Sequence, residues 1–182
     1  SIGANMAAVN DDIYLLINSG IIDTIFGGNN QSGVISGSIQ VDIDKDNDGA
    51  CASDWYVGNV YGGGNQAPYG STGNAYPEVN ILNGTVSYNV FGGGLGSTAT
   101  VTGNPVVNLN GGTVNGNTFG GGSAAPVSGN PIVNALKGVA NNVYGGGLGA
   151  TAIVTGNPSV IVNQASGETM TINNVFGGGD AA

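Results

Sequence analysis

The chain has 182 residues, of which 36 are glycine and only 7% are charged. Its 11 acidic residues, two lysines and lack of arginine and histidine give a net charge of -9. This balance excludes a nucleic-acid-binding surface, which needs basic side chains against the phosphates, and it disfavours attachment to an anionic membrane.

The first copy of a repeated unit lies near the N-terminus. Residues 13–17 form the longest continuous apolar run, which takes the role of a middle strand and is too short to span a membrane. Residues 18–20 resemble residues 110–112 further along the chain, and Phe26 with the two glycines after it closes the unit. The N-terminal segment is therefore expected to enter the fold as an ordinary copy.

The motif that closes this unit, an aromatic residue followed by glycines, recurs six times. Successive copies are 35, 30, 28, 25 and 32 residues apart, and a motif repeated at such a period indicates a chain built from stacked copies of one unit. The aromatic residues are Phe26, Tyr61, Phe91, Phe119, Tyr144 and Phe176.

Short β-branched runs bounded by glycine, asparagine and proline lie between these motifs. A Gly-Asn-Pro corner begins at Gly103, Gly129 and Gly156, and such punctuation predicts short strands between tight turns rather than helices. Three strands and three corners fit one turn of a three-sided solenoid. We therefore predict an all-β fold, a parallel β-helix (β-solenoid) of about six coils of roughly 30 residues, with residues 1–182 as one domain. Two smaller coils per repeat are the alternative.

Like residues are expected to stack in columns along this solenoid. The six aromatic rings form one predicted column, and amides in register can bond along others. One predicted ladder lies two residues before each aromatic residue, at Thr24, Asn59, Asn89, Asn117, Asn142 and Asn174. A second lies in the middle strand, at Gln40, Asn80, Asn108, Asn134 and Asn163.

Two other interpretations of the glycines stay open at this point. They could form flexible linkers between unrelated strands, although linker glycines have no reason to follow an aromatic residue each time. They could also pack as a polyglycine-II bundle, although such bundles need denser glycine tracts.

An acidic insertion interrupts the second copy at residues 42–54. Residues 44–49 match D-x-D-x-D-G, the first half of an EF-hand calcium loop, in which alternating carboxylates surround the ion and glycine permits the bend. Trp55 stands where the loop normally has glutamate, so Asp54 or backbone carbonyls would complete the shell. The predicted Ca²⁺ ligands are Asp42, Asp44, Asp46, Asp48 and Asp54. A solvated acidic loop without an ion is the alternative.

The chain consists of six near-whole units without an obvious cap at either end. An uncapped solenoid tends to add more of itself, which predicts head-to-tail self-association into a filament. A segment cut from a longer repeat protein is the alternative, and the absence of a signal peptide fits a mature or excised segment. The single cysteine, Cys51, is free or pairs between chains.

Catalysis is not expected. The chain lacks histidine and arginine, so no Ser-His or Cys-His arrangement is available, and the adjacent Asp11 and Asp12 would point to opposite sides of a strand. Ice binding through a threonine face is a further candidate, since Thr98, Thr100 and Thr102 alternate. The equivalent stretches in other copies lack threonine, so no continuous face is predicted.

The sequences Asn-Val-(Tyr/Phe)-Gly-Gly-Gly and Thr-Gly-Asn-Pro-x-Val-x-Val resemble glycine-rich repeats of large bacterial cell-surface and secreted proteins, often described as adhesin-like. The resemblance covers nearly the whole chain outside residues 42–54. It implies an extracellular or cell-surface location and a structural or adhesive role, with a host or matrix surface as a partner. We expect a filament-forming subunit, and a stalk segment of a large adhesin is the alternative.

Overall fold

The computed structural model describes residues 7–45, 55–70 and 75–181, and every regular element within them is a β-strand. The strands, numbered β1 to β17 along the chain, pair in parallel and wind into a solenoid of six coils. The all-β parallel β-helix predicted from the sequence is confirmed. Each coil contributes to three faces, which we call first, second and third in the order the chain visits them.

The first face has the shortest strands. Its members are Ala7–Val9 (β1), Gly33–Ile35 (β4), Tyr69–Gly70 (β7), Val101–Thr102 (β11), Val127–Ser128 (β14) and a single bridge residue, Val154. Proline or glycine flanks β7, β11 and β14, each of which has only two residues. Their inward residues Ile35, Tyr69, Val101 and Val127 are buried.

The second face carries the longest regular pairing. Its members are Ile13–Ile17 (β2), Ile39–Asp44 (β5), Pro77–Asn83 (β8), the first part of Val106–Val114 (β12), the first part of Ile132–Tyr144 (β15) and Ser159–Val162 (β16). Apolar and polar residues alternate along the four inner strands β5, β8, β12 and β15, so one set fills the core and the other forms the outer surface. The inward residues Val41, Val79, Val107 and Val133 lie in one column and are completely buried.

The third face ends in the aromatic motifs. Its members are Gly20–Phe26 (β3), Trp55–Tyr61 (β6), Thr85–Val86 (β9), Val90–Phe91 (β10), the second part of β12, Thr118–Phe119 (β13), the second part of β15 and Met170–Phe176 (β17). Because β12 and β15 run through the corner, the second and third faces form one 12-stranded sheet. At that corner Gly84, Gly112 and Gly138 adopt positive φ values of 87°, 63° and 111°, which favour glycine.

The pairing register decides between one coil per repeat and two. Phe91 pairs with Tyr61 on one side and with Phe119 on the other, so neighbouring coils carry neighbouring copies of the motif. Each repeat therefore makes one turn, and the alternative of two smaller coils per repeat is wrong. The variation from 25 to 35 residues is absorbed in the turns and at register shifts within the strands, which follow Ile43 in β5 and Leu109 in β12.

One polar residue stands in the buried column of the third face. Thr118 pairs with Val90 and Val143, is completely buried, and its hydroxyl has no hydrogen-bond partner among the described residues. An unpaired buried hydroxyl costs about 1–3 kcal/mol. The substitution Thr118→Val should therefore raise the melting temperature by about 2–12 °C, measured by calorimetry.

The matched control for this prediction is Val90→Thr in the adjacent coil. It places a second hydroxyl in the same dry column and should lower the melting temperature by a similar amount. If Thr118→Val protein melted below the wild type, the prediction would be wrong, because the Thr118 hydroxyl would then have to make a stabilising hydrogen bond.

Candidate functional site: the stacked columns and the two end coils

The six aromatic rings form one continuous stack at the corner after the third face. Successive centroids are 4.7–4.9 Å apart and the interplanar angles are 4–13°. The inner rings of Tyr61, Phe91, Phe119 and Tyr144 are buried, and Leu95 and Leu148 pack against them. The predicted aromatic column is confirmed, and it forms a second apolar cluster apart from the main core.

The glycine after each inner aromatic residue lies against the backbone of the next coil. A Cβ placed on Gly120 would lie 2.5 Å from the carbonyl oxygen of Gly145 and 3.2 Å from the Cβ of Pro131. A Cβ on Gly145 would likewise lie 2.5 Å from the oxygen of Gly177. These glycines are therefore required by the close approach of neighbouring coils, and no larger residue fits there without displacing the backbone.

An amide ladder precedes the aromatic column, as predicted. Thr24 pairs with Asn59 at one end, and Asn142 pairs with Asn174 at the other. The side chain of Asn174 donates from Nδ2 to Asn142 Oδ1 at 2.8 Å, and Asn142 donates to Asn117 Oδ1 at 2.9 Å. Lower in the ladder, backbone N–H groups donate to the asparagine side chain of the preceding coil.

The ladder on the second face differs from the prediction at both ends. Asn80, Asn108 and Asn134 stack as expected, with Nδ2–Oδ1 distances of 2.7 and 2.8 Å, but Gln40 pairs with Glu78. Asp42 occupies the place predicted for Gln40, and Ile161 occupies the place predicted for Asn163. The prediction was wrong at these two positions because the buried valines set the register, and each ladder residue directly follows its valine.

A third ladder at the Gly-Asn-Pro corner was missed by the sequence analysis. The backbone N–H of Asn130 donates to Asn104 Oδ1 at 2.8 Å, and that of Asn157 donates to Asn130 Oδ1 at 2.7 Å. The asparagine of this corner therefore bonds to the next coil in addition to forming the turn. Its recurrence before proline was the available signal.

The predicted calcium ligands are only partly within the described residues. Asp46, Asp48 and Asp54 lie outside them, whereas Asp42 and Asp44 lie two residues apart on β5. Asp42 is buried, and its two oxygens accept from Gln40 Nε2 at 3.1 and 3.0 Å, while Oδ1 also accepts from Asn80 Nδ2 at 2.8 Å. The Gln40 amide therefore contacts both oxygens of the Asp42 carboxylate, where a bidentate metal ion would otherwise lie. Asp42 is the terminal acceptor of the ladder. Asp44 is exposed.

No group of three or more metal-ligating side chains occurs among residues 7–45, 55–70 and 75–181. Of the alternating threonines, Thr102 lies in a strand of the first face, where it pairs with Gly70 on one side and Ser128 on the other. In the part of the chain that the structure describes, threonine is therefore not continuous along this column.

The last coil exposes apolar groups that the inner coils bury. Val143 is completely buried and Tyr144 is 9% exposed, whereas their counterparts Val175 and Phe176 are 48% and 44% exposed. On the second face, Ala135 is completely buried but its counterpart Val162 is 52% exposed. Strands β16 and β17 each pair with β15 alone among the described strands.

The first coil shows the same feature at the opposite end. Ile39 and Val41 are completely buried, whereas their counterparts Ile13 and Leu15 are only partly buried. Leu16 lies outward beside Asp42 and is 44% exposed. Strands β2 and β3 pair only with β5 and β6 in the described part of the chain. Both end coils therefore present sheet edges and apolar side chains.

Two tyrosine phenols next to acidic groups have raised pKa values. Burial, followed by the charge and hydrogen bond of Asp180, raises the pKa of Tyr144 above its ordinary value. The hydrogen bond with Asp42, followed by burial and the charges of Asp42 and Asp44, raises the pKa of Tyr14. Both phenols are therefore protonated donors at neutral pH.

The described residues contain no helix that could cross a membrane. Comparison with protein-family models, with curated proteins and with solved structures finds no match for this chain. Inferences about its function therefore depend on the geometry of the columns and of the end coils.

Proposed function

We propose that this protein is an extracellular structural subunit whose coils stack head-to-tail on those of another copy to form a filament. The observation that carries the proposal is the exposure of the end coils, which leave uncovered the groups that each inner coil buries against its neighbour. The role is mechanical rather than catalytic. An elongated solenoid of this kind would also contact a host or matrix surface along its sides.

The inner coils supply the physical reason. Each is covered on both sides by backbone hydrogen bonds, stacked rings and buried apolar side chains, and these three kinds of contact recur from one coil to the next. A coil with one side uncovered leaves N–H and C=O groups facing solvent and apolar area in water. Docking of an equivalent coil removes both costs. A heterologous contact of this type does not close, so it propagates.

The composition supports an extracellular setting. Only two residues are basic, so trypsin-like proteases find almost no cleavage sites, and the net charge of -9 keeps the sides of neighbouring rods apart. Lateral repulsion with end-to-end attraction favours single filaments over bundles.

The substitution Gly177→Ala tests the proposal. Among the described residues, no atom lies within 4 Å of a Cβ at Gly177, so the folded subunit should tolerate the methyl group. In a filament, this Cβ would meet the carbonyl oxygen of Gly27 in the next copy, as the Cβ of Gly145 would meet that of Gly177. Wild-type protein should form fibres in negative-stain images, and Gly177→Ala should remain monomeric by sedimentation with an unchanged circular dichroism spectrum.

The control is Gly167→Ser, at an exposed turn where a Cβ also meets no atom within 4 Å. It should assemble like the wild type, although its φ of 79° makes the turn less stable. Wild-type protein that stays monomeric at high concentration, or Gly177→Ala protein that assembles as well as the wild type, would overturn head-to-tail stacking.

A stalk segment of a large adhesin is the second candidate, and the continuity of the coils favours it. Six coils stack within one chain through the same contacts, so further coils of the same chain would cover the ends equally well. Monomeric wild-type protein would favour this candidate over the filament.

We also propose that residues 42–54 bind one calcium ion. The D-x-D-x-D-G spacing supports this, with Asp44 on the exposed side of β5 as its only solvent-facing ligand among the described residues. Titration calorimetry should detect calcium uptake by the wild type and by Asp42→Asn, because Asp42 is engaged in the ladder. Asp46→Ala should lose uptake. Equal calcium binding by Asp46→Ala and the wild type, or none by the wild type, would contradict the site.

A further inference from the structure

We propose that the junction between two copies keeps the register of the inner coils, so that Ile161, Phe176 and Asp180 of one copy lie on Leu16, Phe26 and Asn30 of the next. This inference rests on the filament proposed above and specifies its interface. The partner is a second copy of this chain, and the contact is a continuation of the coil-on-coil interface already present inside the subunit.

The outer column of the second face gives the first argument. Its inner members are Asp42, Asn80, Asn108 and Asn134, joined by side-chain hydrogen bonds. Its two end members are apolar. Leu16 in the first coil pairs with Asp42 in the second, and Ile161 in the last coil pairs with Asn134 in the fifth. They are 44% and 48% exposed. In a register-preserving junction these two side chains cover each other, whereas a junction shifted by one face would place them against polar residues.

The aromatic column gives the second argument. The stack runs from Phe26 to Phe176, and each terminal ring has one neighbour among the described residues, Tyr61 and Tyr144 respectively. Every coil-to-coil step between them keeps the rings nearly parallel at 4.7–4.9 Å. The same step across the junction would place Phe26 on Phe176 and make the stack continuous between copies.

The ladders have a direction, and it excludes a tail-to-tail contact. Asp42 can only accept, so Asn80 must donate to it, and each later asparagine then donates to the one before. On the third face, Asn174 donates to Asn142 in the same sense. The last coil therefore presents side-chain acceptors to the next copy, and the first coil of that copy must supply the donors. If two last coils met, acceptors would face acceptors and no hydrogen bond could form between them.

At the corner after the aromatic column, the same direction of hydrogen bonding ends in a charged acceptor. Asn65 donates from Nδ2 to Asn30 Oδ1 at 2.8 Å, so by the direction of the ladder Asn30 Nδ2 would donate to the coil below. At the other end, Asp180 pairs with Leu148 at the equivalent position and supplies a carboxylate. An amide facing a carboxylate forms a charge-assisted hydrogen bond, whereas two Asp180 side chains facing each other would repel.

Disulfide trapping of assembled fibres tests the register. In a Cys51→Ser background, Leu16→Cys with Ile161→Cys should give a ladder of reducible multimers on non-reducing gels. Paired residues of adjacent parallel strands lie within the Cα separation that a disulfide spans. The control, Tyr14→Cys with Ile161→Cys, displaces one thiol by two residues beyond that separation. We expect about tenfold less cross-linked product from the control.

The outcomes separate this inference from the proposed function. Fibres in which both pairs cross-link equally, or in which only the Tyr14 pair cross-links, would overturn the register and leave the filament intact. Dimers from Ile161→Cys alone would show a tail-to-tail contact and overturn the head-to-tail filament as well. The absence of fibres from wild-type protein would remove both. Circular dichroism of each variant verifies that the subunit is folded.

Discussion

The substitution Gly120→Ala should destabilise the subunit by about 3 kcal/mol or more, although it adds a single methyl group. The added Cβ would lie 2.5 Å from the carbonyl oxygen of Gly145 in the next coil. That oxygen belongs to the backbone of the stack and cannot turn aside, so the two coils must separate. The rings of Phe119 and Tyr144, stacked at 4.8 Å beside this glycine, would separate with them.

Thermal unfolding followed by calorimetry measures this effect. The expected decrease in melting temperature is about 6 °C or more, with the destabilised protein also unfolding at lower urea concentration. Gly177→Ala is the matched control, because it changes the same position of the motif in the last coil. Under conditions where the wild type is monomeric, that control should melt within about 1 °C of it. If both variants melted alike, close coil approach would not be the reason for these glycines.

The substitution Phe91→Ala should cost about 3–5 kcal/mol, which is a large fraction of the stability of an ordinary domain. The ring is almost completely buried and stacks on Tyr61 at 4.7 Å and on Phe119 at 4.9 Å. Truncation removes the buried ring area, leaves a cavity at the middle of the column and breaks the stack into two parts. The pair interactions add about 0.5–1.5 kcal/mol each beyond burial.

Urea denaturation of the monomeric protein gives the free energy of unfolding directly. Phe176→Ala is the control at the end of the same column, where the ring is 44% exposed and stacks only on Tyr144. It should cost roughly half as much, because burial energy follows the area removed from water. Equal costs at the two positions would contradict an energetically continuous column.

The sequence could predict the fold because each coil repeats one local pattern. The aromatic-glycine motifs predicted which residues stack, and the Gly-Asn-Pro corners marked the turns between faces. The number of coils per repeat was decided only by the pairing register. The ladder before each aromatic residue followed from counting back from the ring. These features depend only on spacing along the chain, which a solenoid converts directly into position along its axis.

The second-face ladder could not be placed as reliably, because no aromatic residue marks its register. Gln40 and Asn163 are polar residues near the right place, but the buried valines align Asp42 and Ile161 with the ladder instead. This alignment changes the interpretation of Asp42, which closes the ladder as an acceptor. It also reveals the apolar pair Leu16 and Ile161 on which the proposed junction depends.

The sequence by itself determined that the chain is an all-β solenoid of stacked coils with a column of aromatic rings, because motif spacing and turn residues act locally. Only the tertiary structure decided which polar side chains share a column, in which direction their hydrogen bonds run, and which apolar groups the end coils leave uncovered. Those properties depend on contacts between residues about 30 positions apart, and such contacts exist only after the buried side chains have set the register.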